Sequence, residues 1–587
     1  MTQTAWKPRT QRVIEVLPEE IDDFKAVVKR FQAGEWDETE FQAYRLRQGV
    51  YGQRQADVHM VRVKAPFGGL TADQLDAFGT VASKYTPLNK GHVTTRENIQ
   101  FHHVPLADTP DFLKIIGEEG LSTREACGNT VRNVTGCALA GVCAKEPFDV
   151  TPYAAAYSRY FVRHPFTQAL PRKIKTAFSG CAQDCAITAI HDVGFLPKIV
   201  DGQKGFEMRT GGGTSIMPRI APTLYEFVSV NDYLKVTEAV LRIFHRSDEL
   251  RKNRMKARIK FFIARIGIDE FRKLVDEEMK EDWAQRSFDP TQLLFIENEE
   301  QDAPEPPLGG YSTNGHSPEF EHWVETNVED QKQAGFKMAH VKLPLGDIQS
   351  EQFHELADLA RKYGGGRVRI THQQNLALRW VPEKALHEVW TELSRIGLGD
   401  SGVHEITDVV SCPGTDSCKL GITSSMGLNR ALTRTLEETD LSDPLVRKMH
   451  VKMSGCPNGC GHHHVADIGF HGAAARAPGG QVPAYEMFVG GSYDDADARF
   501  GQRVRGRIPA KQVPEAMKRI LKFYQEERND GELFKDFVVR QTSKAFEPLL
   551  NGLDETRKLD RESIEGYMDW DKTLIYKLER GEGECAV

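Results

Sequence analysis

The amino-acid sequence predicts an α+β fold that is internally duplicated, with two units related by a pseudo-twofold axis. The chain has 587 residues, more than the roughly 250–300 at which single hydrophobic cores stop growing. Eight of its ten cysteines form two sets with the same spacing. The same order of short strands and helices precedes both sets. A long repeat present in two copies indicates a pseudo-twofold body rather than a solenoid.

Cysteine spacing gives the strongest evidence for the duplication. Each set has two cysteines separated by five residues and, after a gap of 37, two separated by three. The first set is Cys137, Cys143, Cys181 and Cys185. The second set is Cys412, Cys418, Cys456 and Cys460. Each member of the second set lies 275 positions after its counterpart (412 − 137 = 275), which chance explains poorly.

Each unit begins with the pattern of a ferredoxin-like half-domain. An alternating strand, HMVRVKAP or KMAHVKLP, comes first. A helix follows, and in the first unit Thr71 is its expected N-cap with Gln74 in the capping-box position. Two short strands come next, GHVTT and NIQFHHV or RVRIT and NLALRW. We predict half-domains that lack the last helix and complete each other across the pseudo-dyad.

These patterns divide the chain into seven segments. They are an N-terminal extension (1–55), a first ferredoxin-like half-domain (56–120), a first cysteine-motif domain (121–297), a linker rich in Pro, Gly and acidic residues (298–319), a second half-domain (320–400), a second cysteine-motif domain (401–545) and a C-terminal tail (546–587).

Composition argues against several classes of function. The 76 basic and 84 acidic residues give a net charge of −8, whereas nucleic-acid binders are usually basic. No apolar run approaches the ~18 residues that cross a bilayer, and the N-terminus lacks the apolar core of a secretory signal. We therefore expect a cytoplasmic protein with no nucleic-acid or membrane partner, whose clustered cysteines bind metal or act in catalysis.

Two kinds of metal centre fit the second cysteine set. Zinc sites favour cysteines separated by two to four residues, and the spacing of Cys412 and Cys418 is wider. A [4Fe–4S] cluster is a larger body that suits four thiolates in Gly- and Pro-rich turns. The spacing favours the cluster and leaves zinc open. The histidines of GHHH (461–464) suggest a zinc or nickel site, but adjacent side chains point in different directions and cannot easily share one ion. We expect them instead to pack near the cluster or to donate hydrogen bonds to a bound cofactor.

The second set, with its CPNGC motif, resembles the siroheme–[4Fe–4S] signature of the sulfite and nitrite reductase family. MVRVKAP, TTRENIQFH, NTVRNVTG and LPRKIKT resemble that family's substrate-side motifs, and the resemblance covers roughly residues 45 to 545. It implies the sulfite reductase haemoprotein fold, with siroheme between the two units. It also implies an assimilatory, ferredoxin-type enzyme that reduces sulfite to sulfide with six electrons.

The resemblance also implies roles for individual residues. The second cysteine set would hold the cluster, with Cys460 bridging to the siroheme iron. Arg62, Arg132, Lys173 and Lys175 match the residues that handle the substrate anion, and Arg132 and Lys173 would also contact the cofactor. Arg96 matches a residue that holds the siroheme carboxylates. Only Lys173 has a counterpart of its own type in the second unit, Lys448, so the first unit would supply the positive charge.

The substrate and the electron donor stay open in part. The family reduces nitrite as well as sulfite, and its nitrite reductases usually carry Asn at the position of Lys175. The lysine here favours sulfite, which is larger and doubly charged. No G-x-G-x-x-G motif after a strand and no flavin-domain pattern is present, so ferredoxin or a separate flavoprotein would supply electrons.

Three features have competing interpretations. The first cysteine set either holds a second [4Fe–4S] cluster, with or without a structural tetrapyrrole, or keeps its thiols buried as small apolar groups. Tyr51 and Cys127 form either the covalent link found in some family members or an unlinked core pair. The basic stretch at 251–265 is predicted to form one amphipathic helix, with a face that is solvated, binds nucleic acid or docks an acidic electron donor. Cys585 is expected to be a free thiol in a mobile tail.

Overall fold

The structure is a computed structural model that describes residues 6–305, 316–493, 496–553, 556, 558–581 and 583–584. Cys585 and the central part of the linker lie outside these residues. Within the described part of the chain, no helix is both long enough and apolar enough to cross a membrane.

The first unit begins with two helices and a half-domain, and a five-stranded sheet with further helices follows. The first group of elements is α1 (Pro18–Gln32), α2 (Glu38–Arg47), β1 (Val50–Gly52), β2 (Val58–Lys64), β3 (Gly69–Thr71), α3 (Ala72–Tyr85), β4 (Lys90–Val93), β5 (Asn98–Pro105) and α4 (Thr109–Glu118). The cysteine-bearing part contains β6 (Val131–Gly136), α5 (Thr151–Phe161), β7 (Ile174–Phe178), β8 (Val193–Val200), β9 (Gln203–Thr210), β10 (Thr223–Ser229), α6 (Tyr233–His245), α7 (Asp248–Lys252), α8 (Ile259–Ile266), α9 (Ile268–Glu278) and α10 (Asp282–Gln285).

The second unit repeats the order of strands in the first unit, with fewer helices at its start and end. Its half-domain contains α11 (Pro318–Asn327), β11 (Val328–Asp330), β12 (Phe336–Val341), β13 (Asp347–Gln349), α12 (Ser350–Tyr363), β14 (Arg367–Ile370), β15 (Leu376–Pro382) and α13 (Leu386–Arg395). Its cysteine-bearing part contains β16 (Val410–Ser411), α14 (Ser425–Glu437), α15 (Pro444–Arg447), β17 (Val451–Ser454), β18 (Ile468–Ala477), β19 (Gly480–Val489), β20 (Gln502–Arg503), β21 (Ile508–Pro509), α16 (Val513–Glu527) and α17 (Phe534–Gln541).

The half-domains confirm one prediction and correct another. Thr71 caps α3: its hydroxyl accepts a hydrogen bond from the Gln74 N–H (3.3 Å), and the Gln74 side chain accepts one from the Thr71 N–H (3.1 Å). The last helix, predicted to be missing, is present as α4 and α13. Pro110 in the first turn of α4 is compatible with a helix start, because its N–H would be unpaired there anyway.

Each half-domain sheet is completed by a strand from the other unit. The first sheet has the order β1-β2-β5-β4-β13, and β13 belongs to the second unit. The second has the order β11-β12-β15-β14-β3, and β3 belongs to the first unit. One apolar core therefore runs through both half-domains and joins Phe78 and Phe101 to Phe353. The predicted completion of the halves across the pseudo-dyad is confirmed.

Strand register shows that the two cysteine-bearing parts have the same backbone arrangement. Thr176 of β7 pairs with Val193 of β8 in a parallel ladder. Val451 and Ile468, each 275 positions later, pair in the same way in β17 and β18. The offset read from the cysteines is thus also the offset of the hydrogen-bonded strands, so the duplication is structural.

The basic stretch at 251–265 does not form the single helix that was predicted. It divides into α7, a short 3₁₀ turn and α8, because Asn253 has extended backbone angles (φ −132°, ψ 99°). Two of its cations are buried rather than solvated. Arg258 donates two hydrogen bonds of 2.7 Å to the Asp192 carboxylate, and Lys260 donates to carbonyl oxygens of a neighbouring loop at 2.6 and 2.7 Å. An amphipathic pattern cannot reveal an acidic partner that is distant in sequence.

Candidate active site

The second cysteine set lies at the carboxyl ends of two neighbouring parallel strands. Cys412 directly follows β16, and Cys456 is the second residue after β17. Loops that leave adjacent parallel strands begin at the same edge of a sheet, so these loops converge. Burial raises the pKa of the Cys456 thiol well above its usual value, and negative charge on the other three thiols raises it further. All four thiols are therefore close neighbours.

The separation of the thiols bears on the choice between zinc and a cluster. In the described residues, three metal-ligating atoms lie within 4.8 Å of one another only at Glu329, His340 and His404. With Zn–S bonds of about 2.3 Å, a tetrahedral zinc site brings its sulfur atoms to roughly 3.8 Å from one another. No three sulfur atoms of the second cysteine set lie this close together in the described structure, which favours the larger body of a cluster.

Backbone N–H groups are directed at the sulfur atoms of the second set. The Gly455 N–H donates to Cys412 Sγ (3.2 Å). The Asn458 N–H donates to Cys456, and this hydrogen bond opposes the rise in the pKa of that thiol. Such donors stabilise thiolates and tune cluster potentials. The residues present therefore fit a [4Fe–4S] cluster.

Two of the predicted anion-handling residues are held by one loop. Arg62 lies on β2 and Arg132 on β6, and the Nη1 atom of each donates to the carbonyl oxygen of Ala126, at 3.1 and 3.0 Å. Arg132 also donates to the Gly128 carbonyl oxygen from Nε (2.9 Å) and Nη2 (2.6 Å). The 126–128 loop thus fixes both guanidinium groups and brings them together.

Arg96 is oriented by a histidine that the sequence analysis missed. Arg96 lies in the turn between β4 and β5, and its Nη2 is 3.0 Å from His191 Nε2. The other ring nitrogen of His191 is 2.8 Å from the Ile187 carbonyl oxygen, so His191 donates through Nδ1 and accepts from Arg96 through Nε2. Burial lowers the pKa of Arg96 to about 9. A comparison of the two units could have identified His191, because the first unit has a histidine where the second unit has Ala466.

Lys175 lies among other cations and beside the second unit. Burial, then the charges of Arg96, Arg258 and Lys173, hold the pKa of Lys175 well below its usual value, while the Cys460 thiolate raises it. These effects place Lys175 of β7 close both to Lys173, which directly precedes that strand, and to Cys460. The structure therefore brings cations of the first unit to the last cysteine of the second.

A direct hydrogen bond joins the two units at this point. Thr95 Oγ1, next to Arg96, donates to the carbonyl oxygen of Cys460 (2.7 Å). Two buried nitrogen atoms near this contact, Arg96 Nη1 and His462 Nδ1, make no hydrogen bond within the protein. Such groups cost about 1–3 kcal/mol each unless they meet a hydrogen-bond partner. A tetrapyrrole with several carboxylates supplies acceptors, so the residues of this interface fit siroheme.

Tyr51 and Cys127 lie in one small apolar cluster with Leu46 and Met60. Cys127 is fully buried, and its Sγ lies 3.3 Å from Arg62 Nη1. The structure therefore places this residue pair beside the predicted anion site. A covalent link between the two side chains stays a prediction.

Comparison with known proteins agrees with this geometry. Residues 127–283 and 402–552 match the nitrite and sulphite reductase 4Fe-4S domain, and residues 51–119 and 329–396 match the nitrite/sulfite reductase ferredoxin-like half domain. The chain is 30% identical over 476 residues to a ferredoxin–nitrite reductase of Synechococcus elongatus, covering 79% of this chain and 85% of that protein. It is 28% identical over 491 residues to a ferredoxin sulfite reductase of Mycobacterium tuberculosis, covering 83% of each.

The overall fold also matches a solved structure, that of the Mycobacterium tuberculosis NirA protein. The TM-score is 0.74 at 25% sequence identity, covering 92% of this chain and 97% of that one. The predicted fold class is confirmed, and the prediction of siroheme and a [4Fe–4S] cluster as cofactors is confirmed by the family. The chain belongs to the nitrite and sulfite reductase family of oxidoreductases.

Proposed function

We propose that this chain is the haemoprotein component of an assimilatory sulfite reductase, which reduces sulfite to sulfide. The observation that carries the proposal is the position of Lys175, which is near enough to Arg96, Arg258, Lys173 and Cys460 for the charge of each to act on it. A doubly charged anion gains more from such a group of cations than singly charged nitrite does. The related enzymes do not decide between the substrates, since they are named for both.

The two units would contribute residues with different roles. The second cysteine set would hold the cluster, with Cys460 towards the siroheme, and Arg96 would bind the siroheme carboxylates. When bound, siroheme supplies a redox-active iron and the cluster supplies electrons singly. Conversion of sulfite to HS⁻ takes six electrons and seven protons and releases three water molecules. Protons must therefore reach the substrate oxygens.

Lys175 and the arginines suit the delivery of charge and protons. The planar fork of donors in Arg62 suits the oxygens of an oxyanion. Its Nε and Nη2 atoms lie 3.0 and 2.9 Å from the side-chain amide of Gln100, which the anion would replace as acceptor. A lysine whose pKa is lowered gives up a proton more readily near neutral pH. Burial and the neighbouring cations create that condition at Lys175. We propose that Lys175 donates protons from Nζ while the cations hold the anion.

We also propose a ferredoxin as the electron donor, with a separate flavoprotein as the alternative. The related proteins from Synechococcus elongatus and Mycobacterium tuberculosis are both named for ferredoxin. Turnover with reduced ferredoxin, compared with turnover in the presence of NADPH and a reductase flavoprotein, tests this choice.

Lys175→Asn tests the substrate, and the repeat provides a matched control. The Lys175 N–H donates to the Asp192 carboxylate (2.8 Å), and at the equivalent second-unit position the His450 N–H donates to the Asp467 carboxylate (2.9 Å). His450→Asn therefore makes the same replacement on the same backbone frame, in the other unit. Both variants and the wild type are assayed on sulfite and on nitrite with reduced methyl viologen.

The two substrates should respond differently to the loss of the lysine. A hydrogen bond to a charged group contributes about 1.5–3 kcal/mol, so Lys175→Asn should lower kcat/KM for sulfite about 10- to 150-fold. The value for nitrite should fall less or rise, and His450→Asn should leave the ratio of the two unchanged. Equal losses on both anions, or a change of ratio in His450→Asn, would contradict the proposal.

A further inference from the structure

We propose that the first cysteine set binds a second [4Fe–4S] cluster, and that this cluster has no anion pocket of its own. The inference concerns metal content and holds whichever anion the enzyme prefers. It rests on the backbone frame around the thiols, on their exposure, and on the residues that stand where the anion site would be.

The first set is placed by the same strands as the second. Cys137 directly follows β6, and Cys181 follows β7, as Cys412 follows β16 and Cys456 follows β17. The β6–β7 ladder pairs Gly136 with Phe178, and the β16–β17 ladder has the same pairing 275 positions later. The two sets of loops therefore leave their sheets with the same geometry.

The backbone donors to sulfur are also repeated. The Lys145 N–H donates to Cys143 Sγ (3.4 Å), from two residues further along the chain. In the second set, Cys418 likewise receives an N–H from Leu420, two residues after it. Cys181 receives an N–H from Gln183, and Cys456 receives one from Asn458, again two residues further along the chain. Donors of this kind stabilise sulfur that carries negative charge, as in a cluster.

The exposure of the thiols argues against a set that serves only as buried apolar groups. Cys185 is exposed and Cys143 half-buried, whereas Cys181 is buried. Their counterparts in the second set have the same three classes of exposure, whereas Cys137 is buried and its counterpart Cys412 is half-buried. The cysteines that the structure describes are free thiols, so a disulfide does not account for the set. The thiols contact one another in the order Cys143, Cys181, Cys185 and Cys137. No three of these sulfur atoms, however, all lie within 4.8 Å of one another, as the ligands of a tetrahedral zinc site do.

The loop between Cys137 and Cys143 is held from outside its own unit. Arg379 of the second unit donates through Nη1 to the carbonyl oxygens of Ala138 (3.2 Å) and Ala140 (2.8 Å). The Arg379 Nη2 atom lies 2.8 Å from the carboxylate of Glu299, a residue of the predicted linker. The linker and the second unit therefore fix this loop, as expected of a site that must hold its ligands in place.

The residues beside this set differ from those of an anion site. β11 and β12 pair in the same register as β1 and β2, so Glu329 is equivalent to Tyr51 and His340 to Arg62. The Glu329 carboxylate lies 2.8 Å from His340 Nε2. The charge of Glu329 also acts on the Cys137 thiol, so this carboxylate is near the first set. The second unit therefore has a carboxylate near the place where the first unit has its cationic pocket, and a carboxylate repels sulfite. The cluster of the first cysteine set would thus take no part in substrate reduction.

Metal analysis of the anaerobically purified full-length holoprotein tests the proposal. Two clusters and siroheme give about nine iron atoms and eight acid-labile sulfides per chain, whereas one cluster and siroheme give about five and four. The variants are Cys181→Ser, its second-unit counterpart Cys456→Ser, and Cys143→Ser, which lies at a half-buried position and is less prone to misfolding. Iron, zinc, sulfide and the visible spectrum are recorded for each.

The expected result is a loss of about four iron atoms in Cys181→Ser and Cys143→Ser with the siroheme absorbance retained. Cys456→Ser should instead lose the siroheme-coupled cluster and keep the other. About five iron atoms in the wild type, unchanged in Cys181→Ser, would overturn the proposal, as would zinc in place of the second group of iron. A wild type with nine iron atoms that prefers nitrite would refute the proposed function alone.

Discussion

Gly455 and Gly180 occupy equivalent positions in the two cysteine sets and give a matched test of packing around the siroheme-coupled cluster. A Cβ atom added at Gly455 would lie 2.5 Å from Gly414 Cα and 2.7 Å from the Thr423 carbonyl oxygen. Optimal contacts between such atoms begin near ~3.5 Å, so Gly455→Ala requires the loop to move by about 1 Å. A Cβ atom at Gly180 would lie 3.4 Å from Cys137 Cβ, which is an ordinary contact.

The displaced atoms belong to the loop that carries Cys412 and Cys418. Overpacking of this kind costs about 1–3 kcal/mol. Metal–ligand distances tolerate changes of only about 0.2 Å, so the main effect should be on cofactor content. We expect Gly455→Ala to purify with little siroheme absorbance and to lose sulfite turnover, whereas Gly180→Ala keeps both. The reasoning would be refuted by a Gly455→Ala protein with full absorbance, or by equal losses in the two variants.

Two further predictions concern contacts that join distant parts of the chain. Thr95→Val removes the hydroxyl that donates to the Cys460 carbonyl oxygen, and it should weaken siroheme binding by about 1 kcal/mol, which is measured as faster loss of siroheme absorbance on dilution. Thr95→Ser keeps a hydroxyl and should retain siroheme as the wild type does. A valine variant that keeps its siroheme would count against a role for this contact. Glu584 forms a buried pair with Arg45 (2.7 Å), and despite burial this pairing holds the pKa of Glu584 at about 2. Its stabilising effect is complete above the unfolded-state pKa of about 4.3 and is lost only as pH falls towards 2. Glu584→Gln should therefore lower the free energy of unfolding by about 3–5 kcal/mol, and it should lower the thermal denaturation midpoint by the same amount at pH 6, 7 and 8. If the difference in midpoint between variant and wild type disappears within this pH range, the ion pair is not its cause.

Local patterns predicted the repeat, the half-domain strands and the capping box at Thr71, because these depend on residues close together in sequence. The exchange of β3 and β13 between the units depends on the shared core, which no local pattern encodes. The last helices were missed, although α4 and α13 lie in their ordinary ferredoxin-like position.

The candidate site, like the fold, could be predicted only in part from the sequence. The cysteines and the five cations were identified from spacing and from the resemblance to the family. His191, which orients Arg96, and the buried Arg258–Asp192 pair were not. Their partners are 95 and 66 residues away, and a charge pattern cannot show which distant groups meet in the fold.

The central claim, that the cations around Lys175 select sulfite, is tested most directly by direct competition between the two anions. The wild-type holoenzyme is given sulfite and nitrite together with reduced methyl viologen, and the yields of sulfide and ammonia give the ratio of the two kcat/KM values. We expect sulfite to be favoured by about tenfold or more, in line with about 1.4 kcal/mol from one additional charge interaction. A ratio that favours nitrite would contradict the claim.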